Sequence, residues 1–393
     1  VSTLLHGRGT ADAPATVTYP GVQDPGPGER PGGRQEVAVA RVTLQTIADQ
    51  VGVSRMTVSN AFSRPDQLSA ELRETILATA AELGYVGPDP AARMLARGSS
   101  GTVGVLFTQS PAAAFRDPIA AEFFASVAEA LAPTGLALSL LPTAGDGDRL
   151  AARDVPMDAA IVYACAVDTT ALGWLERRGL PLVYVDQLPT TDLAATVLLD
   201  DRPGARAAAQ HVVDLGHRRV ALLTTAWGLP PGVAPDPGTA GVGHVSRERV
   251  EGWMSALRPA GADVVAVHML DNHEEDALAA ARLALTLPDR PTAVLCFSDL
   301  VAWAVVRVAR ELGLSVPRDV SVVGFDDSVL SRTVTPSLTT VRQDLVAKGR
   351  ATARAIEHAL AAQRPGAAAA EPDHVLVPTQ LVVRESTGPA PAR

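Results

Sequence analysis

Apolar positions fall along this chain in two rhythms, and the change between them comes near residue 101. From Thr102 onward, short runs that are apolar nearly throughout alternate with stretches where apolar residues return every three or four positions. The runs are TVGVLF, LALSLL, DAAIVYA, LPLVYVD and TVLLDD, then RRVALLT, DVVAVHM, TAVLCF and DVSVVGF. A strand that is apolar on both faces needs cover on both, which is the condition of a parallel sheet between layers of helices. Stretches such as Ala205 to Leu215 and Leu300 to Leu312 supply that cover with helical spacing. This part of the chain is therefore expected to be α/β, its strands dividing into two doubly wound parallel lobes. In open α/β sheets ligands sit beyond the carboxyl ends of the strands, so the polar residues after these runs are candidates to line a cleft between the lobes. The Gly- and Pro-rich stretch from Gly228 to His244 reads as a mobile loop at the mouth of that cleft.

Before Thr102 the pattern is that of a small all-α head. Thr43 is a good N-cap for a helix whose apolar positions are Leu44, Ile47, Ala48 and Val51, and Gly52 ends it. Ser54 can cap a second helix that turns Val58 and Ala61 inward and leaves Arg55, Met56, Thr57, Ser59 and Asn60 outward. Spacing alone would suit a plain helical hairpin with a solvated face. A third helix, Ser69 to Leu83, closes a three-helix core through Leu72, Ile76, Leu77 and Leu83 and favours a helix-turn-helix. The second helix of that motif reads the major groove, where Arg, Asn and Thr offer base-edge donors, acceptors and a methyl contact. GPDPAARMLARGSSG then forms a Pro-punctuated linker, and residues 1 to 40, with no apolar period, are expected to be a disordered leader.

Composition narrows the classes. With 47% hydrophobic and 20% charged residues the chain is an ordinary globular one, and no stretch approaches the roughly eighteen apolar residues that a membrane helix needs. Its start lacks the pattern of a secretion signal, so the cytoplasm is the expected address, on the nucleoid if DNA is bound. Cys165 and Cys296 sit in apolar runs and are expected to be buried and inert. No nucleophile elbow, phosphate-cradling loop or His-Glu-x-x-His helix occurs, so neither catalysis nor a cofactor or metal is expected. Asp200 and Asp201 read as helix-capping residues. The net charge of −9 argues against a generally basic coat. Arg41, Arg55, Arg64, Arg73, Arg93 and Arg97 are offset by Asp49, Asp66, Glu71, Glu74, Glu82 and Asp89, so head and linker together are formally neutral.

The ordered motif TL-x-x-IA-x-x-x-GVS-x-x-TVS from Thr43, with Leu83 to Tyr85 and AARMLARG, resembles the LacI/GalR family of bacterial repressors, and the remainder resembles its periplasmic-binding-protein-like core. The resemblance implies a pseudo-palindromic operator in double-stranded DNA, bound by a homodimer through Thr43, Ser54, Arg55, Met56, Thr57, Ser59 and Asn60, with no membrane partner. It also implies a linker that folds on DNA and places Leu95 as a minor-groove wedge, with Arg93 beside it near phosphates. The other reading of Leu95, packing between linker and core, stays open. A small-molecule effector, a sugar or small polar metabolite, is implied between the lobes. Arg249 in RERVEGW matches the family arginine four residues before an aromatic, and Asp326 in VVGFDD a family aspartate at a strand end. Phe115, Asp117, Asp186, Gln187 and Ser298 are further candidates, with Phe115 equally able to anchor its loop. Asp299 is expected to cap the helix that follows, Asp327 to orient its loop, and His217 to be a structural turn residue. The expected division is a leader at 1–40, head at 41–86, hinge at 87–101, two-lobed domain at 102–384 and tail at 385–393. Within it, the first lobe takes 102–200 plus a C-terminal crossover and the second 217–335. The rivals are a solute-binding protein, which would lack the head, and a sugar-modifying enzyme, which would need a paired acid and base.

Overall fold

The computed structural model describes residues 42–87, 89–107, 114–115, 117–142, 149–163, 169–189, 194–226, 228–364, 366–367 and 371–392. The expected leader and Cys165 lie outside the described residues. Two compact units divide between Asp89 and Pro90.

The first unit holds α1 (Leu44–Val51), α2 (Arg55–Ser63) and α3 (Ala70–Glu82). Thr43 and Thr46 cap the start of α1 reciprocally, each backbone N–H donating to the other's hydroxyl at 3.3 Å. Gly52 ends α1 at φ 78°, a left-handed conformation that costs glycine little. Ile47, Val58 and Ile76, one from each helix, meet in the buried core.

The second unit opens with α4 (Pro90–Arg97), helical here in the chain on its own. Its strands are β1 (Thr102–Phe107), β2 (Ala137–Leu141), β3 (Ala159–Tyr163), β4 (Leu182–Val185), β5 (Ala195–Leu199), β6 (Arg219–Thr225), β7 (Gly232–Val233), β8 (Asp263–Met269), β9 (Ala293–Cys296), β10 (Ser321–Val323), β11 (Thr340–Gln343), β12 (His374–Val377) and β13 (Thr379–Val382). The first lobe is a parallel sheet in the order β12-β5-β4-β3-β1-β2, and the second is β10-β9-β6-β8-β7, parallel except where β7 runs against β8. Along β1, Val103, Val105 and Phe107 join one core and Leu106 the opposite one, which is why the run had to be apolar throughout. The covering helices are α5 (Pro118–Leu131), α6 (Ala151–Asp154) and α7 (Thr170–Arg177) in the first lobe, and α8 (Asp201–Asp214), α9 (His244–Leu257), α10 (Glu274–Leu285), α11 (Asp299–Glu311) and α12 (Val329–Thr333) in the second. A long α13 (Leu345–Ala362) returns to the first lobe, packing Leu345, Ala351 and Ile356 into its core.

The chain thus passes between lobes three times: from β5 into α8, from β11 into α13, and between β12 and β13. The antiparallel pair β11 and β13 lies beside the second lobe, where Val341 shares a core with Ala205 of α8. Three expectations change. The second lobe begins at α8 rather than near residue 217, because the alanines of α8 pack on the second sheet. The stretch 228–244 is built rather than loose: β7 pairs with β8, Ala234 N–H donates to Ala266 at 2.8 Å, and Pro237–Thr239 make a helical turn. The expected tail is tied down as well, since Ser386 is buried and exchanges hydrogen bonds with the Val322 backbone.

Candidate functional site

In the head, the Ser54 hydroxyl accepts from Thr57 N–H at 3.0 Å and starts α2. Burial of Val58 and Ala61 then fixes which face is left over. Arg55 and Met56 are exposed, Met56 by 69%, while Thr57, Ser59 and Asn60 are half-buried beside them. Asn60 Nδ2 donates to Gln67 at 3.2 Å, which orients its amide. Thr43 is exposed at the start of α1. Arg93 and Leu95 belong to the other unit, on α4, where Leu95 stands 81% exposed. That exposure does not fit packing of Leu95 against the lobes.

Between the two lobes lies a cleft of about 490 Å³. Asp117 and Asp186 line it from the first lobe, and Arg249, Ser298 and Asp326 from the second. Phe115 is a correction: it is 58% exposed and does not line the cleft, whose wall at that point is Ala114 and Asp117. The Asp117 carboxylate caps α5, accepting from Ile119 N–H at 2.9 Å, and burial raises its pKa against the pull of those backbone bonds.

Arg249 is 4% exposed. Its Nε donates to Asp201 Oδ1 at 2.9 Å, Nη1 donates to the Phe297 carbonyl, and the guanidinium carbon sits 3.6 Å from the centre of the Phe325 ring. Burial raises the pKa of Asp201, an effect the Arg249 charge opposes. Asp326 stands at φ 116°, in the left-handed region unusual for a side-chain-bearing residue, and accepts from Gln343 Nε2 at 2.5 Å. Burial holds its pKa well above the ordinary carboxylate range, with Arg249 working the other way. Asp186, at φ 58°, takes the ammonium of Lys348 on Oδ2. Ser298 caps α11 through a 3.3 Å bond from Val301 N–H and donates to Asn272 at 2.7 Å.

The description of bacterial regulatory proteins of the lacI family matches residues 43–87, and that of a periplasmic-binding-protein-like domain matches residues 209–387. An HTH-type transcriptional regulator of Mycolicibacterium smegmatis is 37% identical over 328 residues, covering 79% of this chain and 88% of the relative. The chain belongs to the lacI family. Among solved structures, the lac repressor dimer bound to operator and the anti-inducer ONPF aligns with a TM-score of 0.71 at 25% identity, over 88% of this chain and 99% of that one. A complex of the transcriptional regulator CelR with cellobiose aligns with a TM-score of 0.62 at 28% identity, over 88% and 100%. This lacI-family protein is accordingly a DNA-binding transcriptional regulator.

Several residues around the regulator's cleft have roles that differ from those expected. Ser298, not Asp299, is the cap; Asp299 accepts instead from the Ser328 backbone and hydroxyl and from Thr340, and burial lifts its pKa to about 6. Asp201 is no helix cap but the buried counter-ion of Arg249. Asp327 orients its loop as anticipated: burial works to raise its pKa, but bonds from Arg342, Arg384 and Arg332 hold it at about 2. His217 is likewise structural, bridging Thr292 at 3.0 Å and Ser321 at 3.0 Å, and Cys296 is buried.

Gln187, a candidate from its place after a strand end, does line the cleft, whereas Gln343 and Lys348 were missed altogether. Lys348 carried a readable signal, because it is the only lysine in a chain whose every other fixed cation is arginine. It is 1% exposed, with its ammonium 5.2 Å from the centre of the Phe123 ring and 5.8 Å from that of Tyr163. Among the described residues no group of His, Cys, Asp and Glu could hold a metal, and no helix is long and apolar enough to cross a membrane.

Proposed function

We propose that this regulator is a repressor that binds a pseudo-palindromic operator as a homodimer and responds to a sugar or small polar metabolite held between its lobes. The observation that carries the reading is a capped helix that leaves Arg55, Met56, Thr57, Ser59 and Asn60 outside the head's core, in the same chain as an interlobe cleft into which Asp117, Asp186, Arg249, Ser298 and Asp326 converge. The likeness to an operator-bound lac repressor dimer and to a cellobiose-bound CelR supports both halves. The half-sites are read by Arg55, Met56, Thr57, Ser59 and Asn60, with Thr43 and Ser54 holding the helices against the backbone. Residues 87–101 serve as the hinge, in which the exposed Leu95 of each protomer wedges into the central minor groove and Arg93 approaches phosphates. Effector binding changes the lobe angle through the three crossovers and so biases the hinge. The chain regulates and does not catalyse, and it works on the nucleoid in the bacterial cytoplasm.

Selection of duplexes from a random pool by the purified protein, with footprinting, tests this. A palindromic consensus with a deformable central step is expected. Asn60→Ala should flatten the preference at one or two positions per half-site by about 1–3 kcal/mol. No enrichment at low salt, or an unchanged consensus in the variant, would overturn the operator reading or the helix assignment respectively.

A further inference from the structure

One side chain of the first lobe holds the end of the linker. Asp158, half-buried in the position just before β3, accepts four hydrogen bonds, all of them from three consecutive linker residues. Its Oδ1 takes the Ser100 N–H at 2.7 Å and the Ser100 hydroxyl at 3.0 Å, and its Oδ2 takes the Ser99 hydroxyl at 2.8 Å and the Gly101 N–H at 2.8 Å. An ionised carboxylate has about four acceptor sites, so the linker fills them. Burial works to raise the Asp158 pKa, but these bonds hold it below the ordinary carboxylate value and the group stays ionised. The Asp158 N–H donates in turn to the Thr102 carbonyl at 2.8 Å, which seats the start of β1 beside it.

This clasp stands at one end of two rods. β1 and β3 are neighbours in the first sheet, and both run from the clasp toward the cleft, which Phe107 and Tyr163 line at their far ends. On the other side, Gly98 alone separates the clasp from α4; it stands at φ 66°, and its N–H closes the last turn of the helix onto the Met94 carbonyl at 2.8 Å. With the clasp shut, α4 is joined to the sheet through a single residue. With it open, residues 98–101 become a tether that spans up to about 13 Å when extended.

We propose that Asp158 is a positioning residue for operator binding: by clamping residues 99–101 to the first sheet it fixes the separation at which the two α4 helices of a dimer, and the heads that precede them, meet the DNA. The proposal rests on reading the protein as a homodimer on a pseudo-palindromic operator with residues 87–101 as its hinge. A carboxylate that only completed a surface turn would affect stability and nothing else. One that sets the length of a tether governs how strictly the protein demands one spacing between half-sites, because linked modules bind together only when the link matches the span. Each base pair inserted at the operator centre moves the half-sites apart by about 3.4 Å, well within the reach of the opened tether.

The test compares the full-length parent with two variants. Asp158→Asn keeps the shape and replaces one acceptor oxygen by a donor, while Ser99→Ala combined with Ser100→Ala removes two donors and leaves Asp158 in place. Hydrogen exchange reads the amides of residues 100 and 101. Fluorescence anisotropy reads affinity for the selected operator and for versions with one or two base pairs inserted at its centre. In both variants the two amides are expected to exchange faster while those of β1 and β3 keep their protection. One inserted base pair is expected to cost the parent at least about tenfold in affinity and the variants less than about threefold, with the half-site consensus of Asp158→Asn unchanged. Faster exchange with the parent's strictness about spacing overturns the proposal, and so does unchanged exchange, since the clasp would then not hold the linker. If Asp158→Asn does not fold, the serine pair decides alone. A pool that yields no operator removes the operator reading and the proposal with it, whereas an operator on which parent and variants are equally strict, or equally tolerant, removes the proposal alone.

Discussion

Arg249 lines the cleft, but with a buried partner that its place in the chain does not announce. Its match to the family arginine, four residues before Trp253, marks it as a cleft candidate, and from α9 it does line the cleft. What the spacing could not reveal is that Asp201, 48 positions earlier, neutralises it in the buried interior. Arg249→Ala therefore does more than remove a ligand contact, since it leaves the Asp201 carboxylate buried and uncompensated. A loss of about 3–5 kcal/mol in urea unfolding is expected. If the variant is as stable as the parent, the ion pair does not contribute as the geometry implies. Loss of an effector response in this variant would not by itself identify a ligand contact. Lys348 is the complementary case, a compact ammonium between two aromatic rings where the planar fork of arginine has a different shape and reach.

Elements were more legible than residues. Every apolar run became a strand, because the covering of both sheet faces forces a pattern that survives without knowledge of neighbours. The caps Thr43 and Ser54 and the stop at Gly52 were readable for the same reason, since their physics is confined to one turn. The contact between α8 and α9 was not. Gly252 in α9 lies so close to α8 that a Cβ there would stand 2.7 Å from the Ala205 Cβ and nearer still to the Arg202 carbonyl. Gly252→Ala, favourable to an isolated helix, is thus expected to destabilise the second lobe by about 1–3 kcal/mol, read by its denaturant midpoint. A raised midpoint would mean that the two helices can move apart at little cost. The short strands β7, β11 and β13 also escaped notice, because runs of two to four residues carry no period and are made strands by their partners.

At the scale of the whole molecule, the head and linker carry as many acidic as basic side chains, and the chain as a whole has a net charge of −9. Few phosphates can then be neutralised per protomer. The logarithm of operator affinity is expected to fall with the logarithm of salt more gently than a slope of about −5, measured by fluorescence anisotropy from low to physiological salt. A much steeper slope would mean that residues outside the head and linker reach the DNA. The sequence by itself determined the head, the α/β class of the rest, the family and most strand-end residues of the cleft, because periodicity, capping and ordered motifs are local properties of the chain. Only the tertiary structure decided that α8 belongs to the second lobe, that Asp201 and Asp186 neutralise the buried cations, and that Asp158 takes the end of the linker. These facts depend on which groups from distant segments are excluded from water together, and neither periodicity nor spacing encodes that.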